Sequence, residues 1–271
     1  MLEPYWSDGE RVIYHGDCLA VLPTLPDRSV DMVFCDPPYG LAMNAVDGTM
    51  ASRREWVLGR GTREECEATA RPIEQDDRTF FIDTLPLVFA ELARVLVPGG
   101  CCCCCCGGGG PQPIFAEMTL MLDRTPGLKF KQAVVWDKGG LGMGWHYRRN
   151  YEFVLVAEKP GAACKWYGGN TVANVVRIPK IIPSAAQHPT AKPPELAEFF
   201  IRLHSQPGEL VLDCFAGKGS TGVAAKRLGR CFIGIEIDEA HVADAARKLG
   251  DLERQLQTAE PNLFTEAAAG A

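Results

Sequence analysis

The sequence contains no apolar run that approaches the roughly 18 residues of a membrane-spanning helix. Its first ten residues lack the basic and apolar regions of a secretory signal peptide. Outside one unbroken run, no two of the twelve cysteines stand in the CxxC spacing that is typical of zinc and redox motifs. We therefore expect no membrane contact, a cytoplasmic location and no metal site.

The length and composition favour one folded domain over the whole chain. The 271 residues are 46% hydrophobic and 23% charged, which is the balance of an ordinary globular protein. Residues 40–78 are polar and lack periodicity, which is typical of a long functional loop inserted in a domain. We expect a single domain over residues 1–271 that contains this insertion.

Six consecutive cysteines, Cys101–Cys106, follow an apolar segment and precede four glycines. Adjacent cysteines cannot form a disulfide without strain. Cysteine in such a place behaves as a small hydrophobic residue. We therefore interpret the run as a buried strand, and we assign it no function.

Apolar segments of strand length alternate with amphipathic segments of helix length. This alternation predicts a mostly parallel α/β sheet that is covered on both faces, with ligands beyond the carboxyl ends of its strands. The predicted strands are 11–15, 30–35, 101–106, 130–136, 151–157, 209–213 and 231–236, and the predicted helices are 80–95, 114–124, 194–205, 220–228 and 239–257.

A glycine-rich turn, residues 213–221, joins a predicted strand to a predicted helix. Gly217 and Gly219 allow a sharp turn and a close approach of the backbone to a ligand. The turn does not match the nucleoside-triphosphate loop. With Gly222 it matches the spacing of a dinucleotide fingerprint, so a nicotinamide site and a purely structural turn both stay open. Glu236, 23 residues after Asp213, suits a ribose in either cofactor class.

The tetrapeptide Asp36-Pro37-Pro38-Tyr39 follows another predicted strand. Two prolines stiffen the turn and remove two backbone donors. The Asp36 carboxylate and the Pro37 carbonyl can accept hydrogen bonds from an amino group on a planar ring, and Tyr39 can stack on that ring. On the tetrapeptide alone, a rigid strand-ending turn is the alternative interpretation.

Taken with the glycine turn, the tetrapeptide resembles the (D/N/S)PP(Y/F) motif of DNA amino-methyltransferases that modify adenine N6 or cytosine N4. The turn resembles their FxGxG motif at residues 215–219, and residues 188–193 resemble their HPTxKP segment. The motif order resembles the circularly permuted β class, over roughly residues 10–250. The departures from the family pattern are the cysteine strand and a short target-recognition segment at about 158–187.

This resemblance implies a Rossmann-like methyltransferase fold with a doubly wound sheet, a C-terminal antiparallel hairpin element, S-adenosylmethionine as cofactor and adenine N6 as the favoured target. Residues 36–39 would be catalytic. The implied cofactor-binding residues are Asp17, Cys18, Asp36, Thr190, Lys192, Asp213, Phe215, Ala216, Gly217, Gly219, Ser220, Thr221 and Glu236. A homodimer is a further expectation, and a cognate restriction enzyme stays open as a partner.

The charge distribution favours double-stranded DNA as a partner despite a net charge of −6. Residues 124–192 carry eleven basic and three acidic side chains. A second, arginine-rich cluster at 53–71 would form a DNA clamp in the inserted loop. The predicted DNA contacts are Arg53, Arg54, Lys138, Arg148, Arg149, Lys165, Arg177 and Lys180; solvated surface charge is the alternative for each cluster.

Four other functions remain open from the sequence. Methylation of RNA or of a protein amide could use the same Pro-Pro-Tyr chemistry. A DNA-binding protein without activity could keep the fold, although intact Asp36 and Tyr39 argue against it. A nicotinamide oxidoreductase would leave Pro37, Pro38 and residues 188–193 unexplained.

Overall fold

The computed structural model describes residues 3–40, 77–107, 113–142, 146–181 and 192–259, with side chains to residue 254. Its nine strands are β1 (Trp6–Ser7), β2 (Arg11–His15), β3 (Val30–Cys35), β4 (Leu96–Cys106), β5 (Lys129–Asp137), β6 (Tyr151–Glu158), β7 (Val175–Arg177), β8 (Leu210–Asp213) and β9 (Cys231–Glu236). Its helices are α1 (Cys18–Val21), α2 (Leu85–Val95), α3 (Ile114–Arg124), α4 (Pro194–His204), α5 (Ser220–Arg227) and α6 (Glu239–Ala259), with a 3-10 turn at Leu22–Thr24 and a π turn at Phe80–Thr84.

The described strands form one sheet in the order β1-β2-β9-β8-β3-β4-β6-β5-β7. Strands β2, β9, β8, β3 and β4 are parallel to one another. Strand β6 runs antiparallel to both β4 and β5. The mostly parallel α/β prediction is confirmed, but the antiparallel element lies at residues 129–158, in the middle of the chain rather than at its C-terminus.

The sheet is covered on both faces, and the cysteine run serves both cores. Cys102, Cys104 and Cys106 face the core formed with α1, α2 and α3. The alternate residues of the run, Cys101, Cys103 and Cys105, face the core formed with α4, α5 and α6. Successive side chains of a strand point to opposite faces, so the run fills two cores with small apolar groups. The prediction of a buried strand is confirmed.

Two local signals position the ends of helices at one edge of the sheet. Asp17 accepts a hydrogen bond from the backbone N–H of Leu19 at 2.8 Å and so caps α1. Gly219 has φ +78° at the start of α5, where an added Cβ would lie 2.8 Å from Cβ of Ala245. A larger residue at 219 would therefore separate α5 from α6.

Most predicted strand and helix bounds agree with the structure to within one or two residues. The polar insertion lies almost wholly outside the described residues, which omit 41–76. None of the described helices is long and apolar enough to span a bilayer. Strands β1 and β7 were not predicted, since two or three residues carry too little pattern.

Candidate active site

The predicted tetrapeptide and the predicted glycine turn follow two neighbouring strands. Strand β3 pairs in parallel with β8, with Met32 opposite Val211 and Val33 opposite Leu212. The chain continues from β3 to β4 on one side and from β8 to β9 on the other. The carboxyl ends of β3 and β8 thus flank the point where the strand order reverses, which is where ligands bind in such sheets. Asp36 and the turn at 214–219 lie at the same edge of the sheet.

Two side chains hold the Asp36 carboxylate. The Lys192 ammonium donates a hydrogen bond to its Oδ2 at 2.6 Å, and the Tyr39 hydroxyl donates to its Oδ1. Burial and the charge of Asp36 raise the pKa of Tyr39 well above its usual value, so the phenol keeps its proton. Asp36 itself remains partly exposed, and its carboxylate is oriented with space for a further donor.

Glu152 extends these contacts into a charge network that the sequence did not reveal. Lys192 Nζ lies 3.4 Å from Oε2 of Glu152, and Lys138 Nζ donates to its Oε1 at 2.9 Å. Burial alone would raise the pKa of the Glu152 carboxyl, but the two lysines outweigh that cost and lower it. Burial would likewise lower the pKa of Lys192, whereas Asp36 and Glu152 raise it. Acids and lysines alternate, so the network balances its charges.

The turn after β3 needs its glycine and supports its tyrosine. Gly40 has φ +65°, and an added Cβ would lie 2.7 Å from the carbonyl oxygen of Asp77. The Tyr39 ring lies over Gly107 at the end of β4, where an added Cβ would be 3.6 Å from two ring carbons. The Tyr39 ring is therefore held against the backbone, and its hydroxyl is hydrogen-bonded to Asp36.

The glycine turn is built around Glu236, at the end of β9. The backbone N–H of Gly217 donates to Glu236 Oε2 at 2.7 Å, and that of Asp238 donates to Oε1 at 2.9 Å. An added Cβ at Gly217 would meet only the Phe215 carbonyl oxygen, at 4.0 Å, among the described residues. The turn therefore leaves space above its backbone beside an oriented carboxylate. Open backbone and an acceptor pair for ribose hydroxyls fit the polar end and the ribose of a nucleoside cofactor.

Three of the residues predicted to bind the cofactor have buried side chains. The Thr221 hydroxyl donates to Asp213 Oδ2 at 2.6 Å, and the Phe215 N–H donates to Oδ1 of the same acid. Burial, followed by the charge of Cys35, raises the pKa of Asp213 well above its usual value. The Cys18 side chain is also buried in the core. Asp213 and Thr221 therefore fix the turn from within, and the Cys18 side chain packs behind it.

The remaining predicted cofactor residues lie around the same turn. Phe215 is half-buried and packs edge-on against Phe80, with ring centroids 6.3 Å apart. Ala216 is buried, whereas Ser220 opens α5 with an intermediate exposure. Asp17 lies where β2 ends beside β9. Thr190, like the rest of 182–191, lies outside the described residues.

Four of the predicted DNA-contacting residues gather at the carboxyl edge, beside the charge network. The segment after β5 meets the segment before β6 through the N–H of Gly142 and the carbonyl of Arg149, and the segment after β7 joins them through Lys180 N–H and the Lys138 carbonyl. Exposed Tyr147 belongs to the same surface. The basic side chains on it are Arg148, Arg149, Arg177 and Lys180.

The structure corrects two of the predicted DNA contacts. Lys165 lies at the opposite, amino edge of the sheet, where Asp31 accepts its hydrogen bond at 2.7 Å and Glu209 accepts another. Lys138 lies at the correct edge, but its ammonium is mostly buried against Glu152. Each lysine is held by carboxylates of its own chain. Arg53 and Arg54 lie outside the described residues.

Comparison with known proteins agrees with this geometry. Residues 30–247 match the family of DNA methylases. The DNA adenine methyltransferase YhdJ of Escherichia coli (strain K12) is 29% identical, over 88% of this chain and 82% of its own. Type II methyltransferase M2.DpnII of Streptococcus pneumoniae is 26% identical, over 92% and 93%. A crystal structure of the M1.HpyAVI–SAM complex has the same fold, with a TM-score of 0.57, 24% identity and coverage of 88% and 98%.

Proposed function

The chain belongs to the DNA methylase family, and from this premise we propose that it transfers a methyl group from S-adenosylmethionine to the N6 amino group of adenine in DNA. The observation that carries the proposal is the adjacency of β3 and β8, which places Asp36 beside the glycine turn. The relative YhdJ, which is a DNA adenine methyltransferase by its name, supports adenine as the base.

Several residues would hold the cofactor at the carboxyl edge. Glu236 offers carboxylate oxygens to the ribose, and the open backbone at Gly217 accommodates the amino-acid end. Asp213 and Thr221 keep the turn in place from beneath. When bound, S-adenosylmethionine supplies a methyl group on a positively charged sulfur.

The chain's own groups would activate the base. An exocyclic amino group is a poor nucleophile because its lone pair is delocalised into the ring. Hydrogen bonds from that group to Asp36 and to the Pro37 carbonyl would localise the lone pair and stabilise the positive charge that develops. Lys192 keeps Asp36 oriented at 2.6 Å, so the acceptor is in position before the base arrives. Holding both reactants in register supplies roughly 7–11 kcal/mol of the barrier reduction.

The target base would leave the duplex to reach this edge. Base flipping costs a few kcal/mol, part of which stacking on the Tyr39 ring would recover. The basic surface of Arg148, Arg149, Arg177 and Lys180 lies at the same edge as Asp36 and would bind phosphates. The exposed Tyr147 within it adds an aromatic contact for bases or sugars.

The test compares two aspartates at opposite ends of β3, Asp36 and Asp31. Asp36→Asn keeps the shape of the side chain but removes its charge, and we expect turnover to fall by about 10²-fold or more. Asp31→Asn, the matched control at the other end of β3, should keep its turnover per folded molecule. The assay follows tritiated methyl transfer from S-adenosylmethionine to duplex DNA.

Two further readouts identify the product and the substrate. Chromatography with mass spectrometry of digested DNA would reveal N6-methyladenine as expected, and N4-methylcytosine would contradict the proposed base. Transfer to RNA in preference to duplex DNA would contradict the proposed substrate. Turnover of Asp36→Asn equal to that of Asp31→Asn would contradict the proposed role of Asp36.

The homodimer rests on the family resemblance alone, and a cognate restriction enzyme stays open as a partner. Sedimentation velocity of the purified chain, with and without duplex DNA, would test the dimer.

A further inference from the structure

Three side chains that can bind metals converge at the amino edge of the sheet, away from the candidate active site. Cys101 lies in β4, Cys164 follows β6, and His204 is the last residue of α4. One ligand atom from each lies within 4.8 Å of those of the other two. The sulfur atoms of Cys101 and Cys164 are 3.5 Å apart.

The spacing of these atoms suits a small thiophilic ion. Because no pair is more than 4.8 Å apart, some point lies within about 2.8 Å of all three atoms, compared with a zinc–sulfur bond of about 2.3 Å. A shift of about half an ångström in the side chains would complete the coordination. Cys164 is exposed and Cys101 and His204 are buried, so an ion would enter from the Cys164 side.

His204 is already oriented by a backbone contact. Its Nδ1 lies 3.0 Å from the Lys165 carbonyl oxygen. A carbonyl can only accept a hydrogen bond, so Nδ1 carries the proton and Nε2 keeps a lone pair. A backbone carbonyl that fixes the tautomer in this way is a common outer contact of metal-bound histidine. The ring also packs against Trp166, with centroids 5.3 Å apart.

The residues around the cluster would balance the charge of a bound cation and leave space for it. The three residues line a cavity of about 260 Å³ that Glu158 and Lys131 also border. Glu158 contacts the Cys164 thiol and pairs with Lys131 at 2.5 Å. Two thiolates neutralise a divalent cation, while the Glu158 charge is matched by Lys131. Glu158 or a water molecule would complete a tetrahedron.

We infer that Cys101, Cys164 and His204 form a binding site for a divalent thiophilic cation, Zn²⁺ above all. The ion would attach the segment after β6 to β4 and to α4. That segment already contacts both, through Lys165 N–H to the Gly99 carbonyl and Tyr167 N–H to the Leu203 carbonyl, each at 2.9 Å. The ion would stabilise this edge, which lies far from Asp36 along β3.

The experiment uses the full chain, stripped with a chelator in a buffer with a phosphine reductant. Titration with Co²⁺ should give one equivalent bound, with the thiolate charge-transfer and visible bands of a tetrahedral site. Zn²⁺ should displace Co²⁺ and raise the melting temperature. Cys164→Ser should weaken binding by at least about tenfold, since even losses of outer contacts cost 10–100-fold. His204→Gln, the second variant, should do the same.

Cys231→Ser is the matched control, because Cys231 is a partly exposed cysteine in β9 outside the cluster. It should bind Co²⁺ as the unaltered chain does. Binding by Cys164→Ser with unchanged affinity would overturn the inference. A Cys101–Cys164 disulfide in the chain as isolated, with no Zn²⁺ bound after reduction, would overturn it as well.

Discussion

A lysine from elsewhere in the chain lies between two carboxylates at each end of strand β3. At the amino end, Lys165 lies between Asp31 and Glu209. At the carboxyl end, Lys192 lies between Asp36 and Glu152. The residue types are the same, and both lysines come from segments distant in the chain. The difference lies in what else each carboxylate holds.

The amino-end carboxylates also hold backbone. Asp31 accepts the N–H of Leu210 at 2.8 Å, and Glu209 accepts the N–H of Gln206 at 2.8 Å. The first bond connects β3 to the start of β8 and the second closes the turn before β8, so this group of charges belongs to the architecture of the sheet. Lys165 is the side chain that neutralises it.

The two carboxylates at the carboxyl end of β3 accept hydrogen bonds from side chains. Asp36 accepts from Lys192 and Tyr39, and Glu152 accepts from Lys138. Buried ion pairs of this kind add little net stability, because desolvation offsets their attraction. Their arrangement fixes the Asp36 carboxylate as an acceptor in the cleft. In the contacts described, the carboxylates at this end bind side chains and stay available to a ligand, whereas those at the amino end also bind the backbone of the sheet.

The largest expected effect comes from Lys192→Met. Removal of this ammonium leaves the Asp36 and Glu152 carboxylates without the cation that lies between them. We expect turnover to fall by about 10²–10³-fold, because the acceptor for the amino group loses its orientation. Methyl transfer to duplex DNA, measured on protein with an unchanged circular dichroism spectrum, checks this.

Lys192→Arg is the control, since it keeps the positive charge and should recover part of the lost turnover. If Lys192→Met turned over DNA as fast as the unaltered chain, the two lysines would not differ in kind, and the contrast between the two ends of β3 would fail.

Lys165→Met is expected to have a smaller effect, which lowers stability and leaves turnover nearly unchanged. The substitution leaves Asp31 and Glu209 with their backbone donors but without a counter-charge. We expect the free energy of unfolding to fall by about 1–3 kcal/mol, with turnover per folded molecule within about twofold of the original. Denaturant titration gives the first quantity and the methylation assay the second. A loss of turnover equal to that of Lys192→Met would assign both lysines to the same function.

The sequence predicted the elements that bear a strong local pattern. The tetrapeptide at 36–39 and the turn at 215–219 each follow an apolar strand, and Glu236 ends another. Parallel strands bring their carboxyl ends to one edge. That rule was sufficient to place these residues together. The cysteine run was predicted as a strand for the same reason, since six small apolar residues admit few other environments.

What the sequence could not predict depends on distant pairing. Nothing near Lys165 indicates that it would meet Asp31, 134 positions away, instead of DNA. Glu152 carried one overlooked signal, an acid near the start of an otherwise apolar strand at 151–157. An acid in a buried strand needs a cation, and Lys138 and Lys192 were both predicted for other partners. The cluster of Cys101, Cys164 and His204 joins three elements without any sequence spacing to reveal it.

Asp213 sharpens the comparison, because it is a buried carboxylate at the carboxyl edge that bonds to no lysine of the described residues. Its partners are Thr221 and the Phe215 N–H, and burial raises its pKa well above the usual value. Below the unfolded-state pKa of about 3.9, both states are protonated. As the pH rises through that value towards the folded-state pKa, the unfolded chain ionises first, so the protein loses stability.

Asp213→Asn removes this titration while keeping acceptor and donor groups in the same place. We therefore expect its stability relative to the unaltered chain to increase as the pH rises from about 4 to 7, with a small effect on S-adenosylmethionine affinity. Denaturant titrations at both pH values measure the first quantity, and calorimetry measures the second. A difference that shrinks as the pH rises would mean that Asp213 is charged and paired in the folded chain. Asp213 would then be a charged carboxylate with a cationic partner, as Asp36 is, and that partner would lie beside the glycine turn.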